Sequence, residues 1–161
     1  MRLFELFDKK ADWEWIESSL SDVSAAAVIM IDGNRYEVAI SEDDADNYIA
    51  GLNRHGEPIP EWLQMLSDDV NQQLYNIVLY HQAKKLGMNY ELTGIGNAYI
   101  LFSTLIDIMN EYGKEFNVDW WTFSAKEANR RSMYDRLASR FSGEVFTIDD
   151  MDGDKMYVVK A

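Results

Sequence analysis

Thr93-Gly94-Ile95-Gly96-Asn97-Ala98 stands at the start of an apolar run with helical spacing. Glycines at such a point let a backbone come close to a ligand. The free N–H groups of a first helical turn, with the helix dipole, favour an anion there. The stretch therefore reads either as a cradle for a pyrophosphate or as an ordinary tight turn from strand to helix. It is not the dinucleotide-binding fingerprint, which needs a third glycine, nor a P-loop, which needs Gly-Lys-Ser/Thr. Arg130, Arg131, Arg136 and Arg140, with Lys126, are the basic concentration of an acidic chain. They read as a second anion site or as a solvated helix face with pairs such as Glu127 and Arg131. Glu37 and Glu91 are general-base candidates if they line a cleft, because burial raises a carboxylate's pKa.

Other chemistries are poorly served. Cysteine is absent, which removes disulfides, thiol nucleophiles, Fe–S clusters and Cys-based zinc sites together. His55 and His81 are the only histidines and have no metal-ligand spacing, so both read as structural. Asp149-Asp150-x-Asp152-Gly153-Asp154 resembles a calcium loop, but aligned on Gly153 the required acid and Glu positions hold Ile148 and Val159. It reads as a charged hairpin turn, and Asp43-Asp44-x-Asp46 as a solvated loop. No metal site is expected.

Composition narrows the classes further. The chain has 161 residues, 15 basic and 28 acidic, a net charge of −13. General nucleic-acid binding needs clustered Lys and Arg and is not expected. No run approaches a membrane span, and none is expected. The start, Met1 to Asp8, lacks a long apolar core and a small-residue cleavage site, so it does not read as a secretory signal.

The elements that must position these residues follow from periodicity. Trp13 to Glu17 alternates and reads as a short strand. Ala25 to Ile31 and Arg35 to Ile40 flank Asp32-Gly33-Asn34, a hairpin signal. Ser41 to Gly56 reads as an exposed acidic connection. Pro60 suits a helix start, and Trp62, Leu63, Met65, Leu66 and Val70 give a short apolar face. Leu74 to Gln82 reads as a strand, Lys84 to Gly87 as its turn, and Tyr90 to Leu92 as a short strand. Ala98, Leu101, Phe102, Leu105, Ile108, Met109 and Tyr112 form one helical stripe, with Gly113 as the stop. Val118 to Phe123 reads as a strand whose Trp120 and Trp121 point to opposite faces. A helix follows from a Ser124 cap with Glu127 in the capping-box position, carries Met133, Tyr134, Leu137 and Phe141 inward, and ends at Gly143. Glu144 to Ile148 and Lys155 to Val159 form a closing hairpin around Asp152-Gly153. The expected fold is α/β (α+β): one domain with a central mixed, mostly antiparallel sheet of about six to seven strands and helices packed on it. Its three stretches are residues 1–56 (strands, hairpin and acidic connection), 57–73 (an inserted helix) and 74–161.

The last stretch, from about Leu74 to Val159, resembles the C-terminal half of the GNAT acetyltransferase superfamily. There a strand leads into a Gln/Arg-x-x-Gly-x-Gly/Ala turn and a helix that hold acetyl-CoA pyrophosphate. A strand, a helix with a Leu-Tyr pair and a final hairpin follow. Gly94 and Gly96 match the glycine positions and Tyr134 the tyrosine. The resemblance implies acetyl-CoA or CoA as cofactor, held by Thr93, Gly94, Ile95, Gly96, Asn97 and Ala98 with Arg130 and Arg131, and Tyr134 as the acid that protonates the leaving thiolate. Three features depart from the family. Glu91 stands at the Gln/Arg position, where a carboxylate repels pyrophosphate. Two residues are inserted before Phe141, and the helical insertion follows the first hairpin instead of preceding it.

Over most of its length the chain is also similar to uncharacterised proteins of tailed bacteriophages, through the Met1 to Asp8 start, the Thr-Gly-x-Gly-Asn-Ala turn before Phe102-Ser103-Thr104, Phe123-Ser124-Ala125, and Arg131 to Leu137. That implies a phage origin and a place in the host cytoplasm or the virion. The expected function is a GNAT-like protein that binds a protein partner, a virion component or host factor, instead of catalysing. The alternatives are an active acyl-CoA-dependent N-acyltransferase and an acidic inhibitor that imitates nucleic acid.

Overall fold

Ala25–Ile31 (β2) and Asn34–Glu42 (β3) form the expected hairpin. Ile31 pairs with Asn34, so the loop is Asp32 and Gly33 alone, both at positive φ (49° and 78°). Two central residues in the left-handed region make a type I′ turn, whose twist suits the flanking strands. The structure is a computed structural model and describes residues 11–17, 23–69, 71–81, 95–125, 135, 138–140, 145–149 and 155–161.

Asp12–Ile16 (β1), Leu74–His81 (β4), Trp120–Ala125 (β5), Val145–Asp149 (β6) and Lys155–Lys160 (β7) complete a seven-stranded sheet in the order β1-β2-β3-β4-β5-β7-β6. The β1–β2, β2–β3, β5–β7 and β6–β7 pairs are antiparallel. β4 and β5 run parallel and pair Leu74–Asn76 with Trp120–Thr122. Among the described residues the helices with defined bounds are Ala45–Arg54 (α1), Glu61–Asp68 (α2) and Ile95–Phe116 (α3), and residues 135 and 138–139 are also helical. This is the mixed α+β architecture the sequence predicts. The chain divides into two compact units, one of Met1–Ser41 with Ile77–Glu115, the other of Glu42–Asn76 with Phe116–Ala161.

In the first unit, strand alternation puts Trp13, Ile29 and Tyr36 in one cross-strand row and Trp15, Ala27 and Val38 in the next. The predicted stripe on α3 is buried at Leu101, Phe102, Leu105, Ile108, Met109 and Tyr112. Each such side chain contributes about 1.5–3 kcal/mol, enough to hold both Gly96 and Gly113 in the helix against a cost of about 1 kcal/mol each. Gly113 is therefore not the stop. The helix runs on to Phe116, and Asn117 at φ 54° takes the left-handed terminating position. Three polar ties join β1 to successive turns of α3. Ala11 N donates to Thr104 Oγ1 (2.8 Å), Trp13 Nε1 to Asp107 Oδ2 (3.0 Å) and Trp15 Nε1 to Glu111 Oε1 (3.4 Å).

In the second unit the expected acidic connection over residues 41–56 is instead the helix α1. Asp44 caps it, its carboxylate accepting from Asp46 N at 2.9 Å. Ala45, Tyr48, Ile49 and Leu52 fall at i, i+3, i+4 and i+7 and pack on the core, which overrides the polarity of the rest. Asp43-Asp44-x-Asp46 is thus a helix entry and not a free loop. His55 is the exposed C-cap residue. Pro60 precedes α2 in the N-cap position.

Leu63, Leu74, Trp120 and Val158 are the buried centre. Trp62 stacks on Phe146 (4.6 Å, 4°), and Trp120 meets the same ring at 5.8 Å. Trp121 instead meets Tyr75, and Phe123 stacks on Tyr157. The two tryptophans are both buried and lie on opposite faces, as strand alternation requires. Ser124, the expected cap of the last helix, is instead a residue of β5, which pairs on through Ala125 with Lys155. The expected turn at 84–87, strand at 90–92, helical residues 126–134 and helix end at 141–143, and turn at 152–153 lie outside the described residues.

Candidate functional site

Ile95, Gly96, Asn97 and Ala98 are the first four residues of α3. Their backbone N–H groups belong to the set that has no carbonyl partner within a helix. The charge order along α3 is unusual. No acidic residue stands in the first turn, and Ile95 to Ile106 carries no charged side chain. The charges follow at Asp107, Glu111, Lys114 and Glu115, in the C-terminal half. Helices normally place acids at the N-terminus, where each contributes about 0.3–1 kcal/mol against the dipole. Two of the carboxylates in the C-terminal half accept indole N–H groups from Trp13 and Trp15.

Glu37, one of the two base candidates, lies on β3 opposite Val28. It is half-buried and forms an ion pair with Arg35 at 3.2 Å. The two sit on the same strand face, opposite to Tyr36 and Val38. Glu91, Thr93, Gly94, Arg130, Arg131 and Tyr134 lie outside the described residues. Arg140 is exposed. Among the described residues no group of three or more His, Asp or Glu has the geometry of a metal site, and no helix is long and apolar enough to cross a membrane.

One polar cluster was not singled out by the sequence. Asp43 Oδ2 accepts from the hydroxyls of Tyr48 and Thr122, the latter at 2.6 Å. Asn76 Nδ2 donates to Thr122 Oγ1 (3.0 Å) and to the Thr122 carbonyl (3.2 Å). Asp43 Oδ1 accepts from Asp44 N at 2.9 Å, and Asp43 N donates to the Leu74 carbonyl at 2.8 Å. The cluster ties the end of β3, α1, β4 and β5 at one point. Burial pushes the Tyr48 pKa up, and the Asp43 charge and hydrogen bond push it further, against a smaller lowering by Thr122. The phenol therefore stays protonated and serves as a donor. Thr122 is fully buried, so the cluster is a structural clamp whose donors are taken up by acceptors within it. Its members are up to 79 residues apart, and no local spacing signals such a contact. The helical period of Ala45, Tyr48, Ile49 and Leu52 was the one readable clue.

No family model matches the chain, and no curated protein matches it. Among solved structures it is similar to the apo form of a mutant agmatine N-acetyltransferase, with a TM-score of 0.44 and 12% identity, over 84% of this chain and 74% of that one.

Proposed function

We propose that the chain binds a ligand of the acyl-CoA class through the opening of α3. The observation that supports this is the charge order of that helix. In a protein of net charge −13, the N-terminal half of a 22-residue helix carries no charge at all. A pyrophosphate there meets the N–H groups of Ile95 to Ala98, which have no carbonyl partner within the helix, and the positive end of the dipole. It meets no carboxylate from the helix's own first turn. Glu91, four residues upstream, is the one opposing charge in the adjoining sequence. The resemblance supplies the class of anion and gives Tyr134 its role. In transfer, a neutral acceptor amine attacks the acyl carbon, the C–S bond breaks, the thiolate takes the Tyr134 proton, and the proton that the amine nitrogen loses returns through water to the tyrosinate.

The test is isothermal titration of CoA and acetyl-CoA into the full chain, with Gly96→Trp as the blocked variant and circular dichroism to check that the variant folds. Micromolar binding that the variant loses supports the reading. No heat at millimolar ligand overturns it.

A second reading, docking on a protein partner such as a virion component or host factor, has its own observation. Among the described residues β1 ends the strand order, and Trp15 on it is 38% exposed. Large apolar side chains at a sheet edge suit partner binding. Partner recovery from a host lysate should fall on Trp15→Ala, and equal recovery removes this reading.

A further inference from the structure

We draw no further inference here: the strongest candidate, the groove that Asp107, Glu111 and Glu115 line along the last turns of α3, is an acidic cluster with no second observation in the structure that points to a ligand.

Discussion

Asp43 is the hub of the clamp in the second unit, and its three substitutions should differ in a set order. Thr122→Val keeps the side-chain shape and removes one hydrogen bond to a carboxylate, worth about 1.5–3 kcal/mol. Asn76 Nδ2 loses its bond to Thr122 Oγ1 but keeps the Thr122 carbonyl at 3.2 Å, and it is only half-buried, so water reaches the freed N–H. The expected loss is about 2 kcal/mol. Tyr48→Phe removes the other hydroxyl, but Asp43 is half-exposed and water replaces it there. The expected loss is about 1 kcal/mol. Asp43→Ala deletes both bonds and leaves a fully buried Thr122 hydroxyl whose nearest substitute, the Tyr48 hydroxyl, is 3.4 Å away. That distance is too long for a good hydrogen bond. The expected loss is about 4 kcal/mol. In a chain of this length each kcal/mol lowers Tm by roughly 2–4 °C. Thr122→Val should thus melt roughly 4–8 °C below the parent. Urea unfolding with an unchanged m-value is the assay. Tyr48→Phe and Thr122→Val share an acceptor, so their double variant should depart from additivity by about 0.5–1 kcal/mol. An Asp43→Ala loss no larger than that of Thr122→Val would refute the clamp, because the buried hydroxyl would then not depend on the carboxylate.

Two further outcomes follow from the same unit. Asp44→Ala removes the α1 cap and should cost about 1 kcal/mol in urea unfolding, with Asp44→Asn recovering most of it. Tyr48, whose folded pKa lies above its unfolded value near 10, contributes stability that is complete below about pH 9 and declines as pH rises through 10 and beyond. The difference in unfolding free energy between the parent and Tyr48→Phe should therefore shrink between pH 9 and pH 11, and a constant difference would contradict the raised pKa.

The elements with strong local chemistry were legible. Asp32-Gly33 fixes the β2–β3 hairpin because only a residue pair tolerant of positive φ closes a two-residue loop. The α3 stripe and the opposed tryptophans of β5 follow from period alone. The failures have physical causes. Acid density over residues 41–56 masked the helical spacing of α1, whose apolar residues are few but all on one side. Gly113 is a helix stop by propensity alone, and the burial of Met109 and Tyr112 beside it overrides that propensity. A helix from Ala98 onward was legible as an element, and it includes Ile95, Gly96 and Asn97 as well. Glu37's partner could be guessed from the i, i+2 spacing to Arg35, but the Asp43 clamp depends on a chain crossing that no window of sequence contains.

The ties from Ala11, Trp13 and Trp15 to Thr104, Asp107 and Glu111 bear on how the protein is made. The first unit joins residues up to Ser41 to a segment that ends at Glu115. On the ribosome the β1–β2–β3 hairpins emerge well before the helix that caps them. At about 5–20 residues per second the interval is roughly 4–15 s. During that time Trp13, Trp15, Ile29 and Val38 lack α3, and a sheet of three strands with an uncovered apolar face is a template for wrong pairing. Neither unit is a contiguous length of chain, so a nascent product released before residue 115 contains no finished unit at all. Yield in a host should therefore depend on holdase capacity during synthesis more than on the stability of the finished fold.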